Sequence, residues 1–208
     1  MPSSGETEQL RDLLVKIRQD ELDAQLTSLT PEDAFEIGSA IRSVYYGVNE
    51  VVPTLKSEEE HIKTYGHAIY SDLPASSGIV IHLETFTGHK LFTATAGEPS
   101  AVKPDNWIWV EGKKNIVKRF HRSSYAVGRE CMLKGKTPEE AGYRLPEYSA
   151  HGGGMPLWIK GVTVAPIAVV VVSGLPQQMD HQLIVDGIRF TLHKRSKVHH
   201  RTGTERTK

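Results

Sequence analysis

Cysteine is nearly absent: a single one, Cys131, occurs in 208 residues, so no internal disulfide can form, and no Asn-x-Ser/Thr acceptor is present. An internally disulfide-stapled chain is therefore excluded, nothing marks a secreted one, and a cytoplasmic location is expected. Long apolar runs are also missing. The longest, from Val162 to Val172, is too short for a bilayer and contains Pro166. The first nine residues lack the basic start and apolar stretch of a signal peptide. Charge of one sign is missing as well: 25 Lys and Arg balance 25 Asp and Glu. A nucleic-acid binder needs a basic excess, so that class is set aside. The balance is uneven along the chain, with nine acids against three bases in residues 1–36 and six bases against one acid in residues 192–208.

At 38% hydrophobic residues the chain can fill one full core. Leu10, Leu13, Leu14 and Ile17 recur at helical spacing and predict an amphipathic helix over about 6–28. Thr30-Pro31-Glu32-Asp33 caps a second helix whose apolar face runs Ile37, Ile41, Val44, Tyr45 and Val48. Residues 52–77 lose the pattern and read as a surface insertion. Two β-rich segments, 78–86 and 89–96, flank Thr87-Gly88 and predict a hairpin. A stripe through Trp107, Val110, Lys114, Val117, Phe120, Ser124, Val127 and Cys131 predicts one long helix, bent near Gly112. Thr137-Pro138-Glu139-Glu140 predicts a short helix. Val169 to Val172 suit a central strand, with Pro166 at its start, at a bulge or between two strands. A last helix covers about 176–193, and 193–208 reads as a disordered basic tail.

His151-Gly152-Gly153-Gly154 has the look of an oxyanion loop, yet no serine stands in a Gly-x-Ser-x-Gly setting. Gly135-Lys136-Thr137 fails as a phosphate loop because Glu130 occupies the required glycine position. What remains is a polar set. Arg119, His121, Arg122 and Ser123 can hold carboxylates, although packing alone would also place most of them on a solvated helix side. The three glycines permit close backbone approach and can hold His151 at a cavity mouth or merely make a tight crossing. Asp180 and His181 open the last helix, where Asp180 either caps it or orients a histidine. Trp107, Trp109 and Trp158 read as core or interface anchors.

Asn106-Trp107, Arg119 to Tyr125, His151 to Pro156 and Val172 to His181, taken in this order, resemble the HbpS-like and GlcG-like proteins, often labelled haem-degrading domain proteins. The resemblance spans roughly 30–192. It implies an α/β (α+β) fold, a profilin-like three-layer α/β/α sandwich with a mainly antiparallel central sheet. To this are added an N-terminal helix over 1–29 and the tail from 193. It also implies a homo-oligomer, a dimer or higher; no membrane insertion is expected, because the longest apolar run is too short. Haem or a related tetrapyrrole is the implied cofactor. On this chain its candidate ligand-binding residues are Arg119, His121, Ser123, Ser124, His151, Gly152, Gly153, Gly154, Asp180 and His181, with His121, His151 and His181 as iron candidates. The function expected is a cytosolic small-ligand binder, more readily a binding protein than an enzyme; haem-degrading activity rests on the family label alone. The rival is an oligomeric scaffold that offers its N-terminal helix or basic tail to a protein partner such as chaperone or trafficking machinery. An acid/base enzyme using His151 and Asp180 ranks third, since no nucleophile, metal set or cofactor motif accompanies that pair.

Overall fold

A computed structural model describes residues 3–47 and 73–204, with side chains described as far as 196. Most of the expected insertion at 52–77 lies outside the described residues.

Helix α1 spans Ser4–Asp23 and opens on a capping box, in which Ser3 accepts from the Glu6 N–H and Glu6 returns the bond to Ser3. It stops five residues short of the expected end. Leu26 instead runs extended, donating from its N–H to the Trp158 carbonyl (2.8 Å) and accepting from the Lys160 N–H (2.8 Å). Helix α2, Pro31–Tyr45, has the Thr30 cap and the proline start that its sequence dictates. The hairpin follows as β1, Gly78–Thr85, and β2, Lys90–Gly97, and a 3-10 turn covers Pro99–Ala101.

The single long helix is corrected to two. Helix α3, Asp105–Phe120, ends where His121 takes a left-handed conformation (φ 54°), and α4, Ser124–Leu133, starts afresh under a Ser123 cap. The break therefore falls at His121 and not at Gly112. The Thr137–Glu140 reciprocal hydrogen bonds form (2.8 and 3.1 Å), but only turns follow, so the short helix is also corrected. Strands β3, Gly154–Leu157, and β4, Ala168–Ser173, are separated by the loop that holds Pro166. Helix α5, Gln177–Thr204, runs well into the segment read as a tail. There Arg195 meets Asp33 at 2.7 Å and Glu36 at 2.9 Å, joining the basic end of the chain to its acidic beginning.

The sheet order is β2-β1-β4-β3, antiparallel throughout, with Val80 opposite Ser173 and Gly154 opposite Val171. The strand period of two sorts its side chains. Ile79, Ile81, Leu83, Val170 and Val172 pack under α2 and α5, whereas Val80, Val169 and Val171 meet Val110 and Val117 of α3. Three layers result, and all four valines from 169 to 172 are fully buried because helices cover both faces. Helix α1 lies against α4 and α5. Its buried Glu21 accepts from the Ser123 N–H (2.8 Å) and from Arg122 (2.9 Å), and its buried Asp20 accepts from Arg189 (2.9 Å). No described helix is long and apolar enough to cross a membrane.

Between β1 and α3 the buried Glu84 accepts from Lys118 (2.7 Å) and Lys114 (2.9 Å). Burial acts to raise its pKa, but the two ammonium groups and His82 outweigh burial and bring it down from 4.5 to about 2. A carboxylate whose folded pKa is depressed stabilises the fold above its unfolded pKa, and that contribution fades as pH falls through the folded value. The expected result is a loss of roughly 3 kcal/mol of stability between pH 5 and pH 2 from this group. Urea midpoints measured across that range check it, with Glu84→Gln flattening the curve.

Candidate functional site

A cavity of about 240 Å³ opens where α3, the glycine bend, the end of β4 and the first turn of α5 converge. Asn106, Trp109 and Lys113 stand three and four residues apart on α3, so one helix face carries all three to the cavity wall. His151 enters from the bend. Ser173, Gly174 and Leu175 form the turn after β4, and Gln177 and Asp180 project from one face of α5.

At its base lies a buried ion pair. The Lys113 Nζ donates to Asp180 Oδ2 at 2.8 Å and to the Val172 carbonyl at 2.9 Å, and the two side chains are 3% and 2% exposed. The other Asp180 oxygen accepts from the Leu175 N–H (3.0 Å). Burial pushes the Asp180 carboxyl up, against the pull of Lys113 and of the Leu175 and Gly174 N–H groups. His151 is shifted the other way. Burial lowers its imidazole pKa, which keeps the ring neutral at pH 7. Its Nδ1 lies 3.2 Å from the Ser149 hydroxyl, and its ring meets Trp109 edge to face, with centroids 5.2 Å apart at 90°.

The glycine bend is held by its neighbours. The Ser124 hydroxyl donates to the His151 carbonyl and accepts from the Gly154 N–H (2.9 Å). Gln177 Oε1 accepts from the Gly152 N–H (3.3 Å) and from Arg129 (3.2 Å). Gly153 lies directly behind the ion pair.

Of the ten residues expected to bind ligand, His151 and Asp180 line the cavity, while Ser124, Gly152, Gly153 and Gly154 shape it from behind. The other four stand elsewhere. Arg119 lies over the rings of Phe120, Tyr143 and Tyr148. His121 ends α3 and packs near Phe86 and Trp158, with centroids 5.7 and 6.3 Å away. Ser123 caps α4 by accepting from the Ala126 N–H (3.1 Å). His181 is buried beneath α1, its ring 5.1 Å from Tyr125 and its Nε2 3.9 Å from Asp20. The three iron candidates thus occupy three separate environments. Among the described residues, no cluster of three or more His, Cys, Asp or Glu could hold a metal ion.

Of the nine lining residues, seven are outside the ten candidates, among them Lys113 and also Trp109, which reads as a core or interface anchor in the sequence. The available signal was the 106, 109, 113 spacing.

Chains of known type match this one. The family model described as haem degrading protein HbpS-like matches residues 71–189, which include all four strands of the sheet, both middle helices and the whole cavity lining. A UPF0303 protein of Rhizobium etli is 39% identical over 126 residues, covering 61% of this chain and 74% of that protein. A UPF0303 protein of Acidobacterium capsulatum is 45% identical over 111 residues, covering 53% of this chain and 64% of its own length. This chain therefore spans about two thirds to three quarters of those relatives. In three dimensions the crystal structure of the Ybr137w protein is similar, with a TM-score of 0.63 and 25% identity, covering 91% of this chain and 95% of that one. With its family model matched over more than half its length, the chain belongs to the HbpS-like family.

Proposed function

We propose that this chain is a small-ligand-binding protein whose cavity takes a carboxylate-bearing ligand. The observation that carries the proposal is Lys113. An ammonium has three donors; Asp180 and Val172 take two, and because Lys113 also lines the cavity the proposal assigns the third to a bound carboxylate. The first turn of α5 adds N–H groups and the positive end of a long helix at the same wall.

The family description names haem, and haem is the finer form of this proposal. The described residues do not fit an enclosed macrocycle. A cavity of about 240 Å³ falls below the roughly 300–1,000 Å³ of ordinary ligand pockets, and only one imidazole, His151, faces it. Assembly into dimers or larger homo-oligomers belongs to the same proposal and is checked by light scattering of the full chain. The scaffold reading has less support, because α1 is seated on its own fold through Asp20 and Glu21.

Titration of the full chain with sodium acetate, followed by backbone amide NMR, tests the proposal. Saturable shifts are expected at Gly174, Leu175 and Gln177; their absence for acetate and for larger carboxylates overturns it. A parallel haemin titration tests the finer form. A saturable Soret band altered by His151→Ala supports it, and no such band removes haem while leaving the carboxylate site standing.

A further inference from the structure

Resting on the carboxylate reading of the same cavity, the geometry points to a ligand class: we infer that the site takes a single-ring aromatic carboxylate. Two rings on one wall carry this. Trp109 and His151 both line the cavity and touch each other edge to face, with centroids 5.2 Å apart at 90°, so a ligand ring packs beside the pair, against two surfaces of different orientation. A flat ring can meet one face to face and the other by its edge, the two arrangements that aromatic quadrupoles favour. An alkyl group gains only burial there.

The charged end is correctly placed for such a ligand. Trp109 and Lys113 are four residues apart on α3 and so are neighbours along one helix face. A carboxylate held by Lys113 sets its substituent beside the indole. Leu175 adds apolar surface to the lining, and the buried Asp180 already balances the charge of Lys113, so a dianion would be disfavoured. The cavity volume limits the substituent to one ring.

The test compares benzoate, cyclohexanecarboxylate and acetate on the full chain, following the Trp109 indole N–H resonance, which is identified by its loss in Trp109→Leu. Benzoate is expected to bind about three- to tenfold more tightly than cyclohexanecarboxylate. Trp109→Leu, shown to be folded by circular dichroism and followed at the Gly174 and Leu175 amides, is expected to bring the two ring acids to equal affinity. Equal affinity for the two ring acids, or a preference that survives in Trp109→Leu, overturns the aromatic assignment and leaves the carboxylate site intact. Failure of all three acids overturns the carboxylate reading itself.

Discussion

Asp180→Ala is expected to lower the unfolding free energy by roughly 3–5 kcal/mol, read as a large drop in the urea midpoint at pH 7. The size follows from what the substitution strands. Lys113 would keep its ammonium 3% exposed with the Val172 carbonyl as its remaining protein acceptor, and the Leu175 N–H would lose its partner. Charges left buried without a counter-charge are far more damaging than the pair is stabilising. A double variant separates these effects. Adding Lys113→Met removes the stranded charge while keeping most of the stem's volume, and should recover more than half of the loss. If Asp180→Ala alone loses less than about 1 kcal/mol, water reaches Lys113 through the cavity and the pair is not a buried one.

The elements legible in the sequence are those whose signals are local. Thr30-Pro31 caps and starts α2, Thr87-Gly88 turns the hairpin, and the valine run from 169 to 172 forms a strand with helices on both faces. The break between α3 and α4 was hidden because the apolar spacing continues across it. It depends on a histidine adopting a positive φ and on a serine cap that faces Glu21, a residue far away in the chain. The failed helix after Thr137 shows the converse: its cap forms, but no apolar stripe follows to hold a helix against the core. The site divides in the same way. Asp180 and His181 are adjacent in sequence, yet successive helical residues point about 100° apart, so one faces the cavity and the other faces α1. Nothing near Lys113 in sequence announces Asp180, and only the seating of α3 and α5 on opposite faces of the sheet, both against β4, brings the two side chains together.

Gly153→Ala is expected to destabilise the fold by about 4 kcal/mol and to abolish ligand binding together with stability. Two terms add. The backbone at Gly153 has φ +107°, where an L side chain is strained by roughly 1–3 kcal/mol. A Cβ there would also stand 2.3 Å from the Val172 carbonyl oxygen and 2.8 Å from both the Asp180 Cβ and the Lys113 Nζ. Backbone cannot yield as a flexible side chain can, so overpacking adds a further 1–3 kcal/mol. Relief would require β3 and β4 to part, loosening the 2.7 Å bond from the Val172 N–H to the Gly153 carbonyl and displacing the acceptor that Lys113 uses. Gly142→Ala is the matched control: its φ is +89°, but nothing lies within 4 Å of the added carbon, so it carries the strain without the collision. The difference between the two urea midpoints isolates the close approach. If both variants fall by the same small amount, the glycine bend tolerates a side chain, and the tight seating of the Lys113–Asp180 pair against it is wrong.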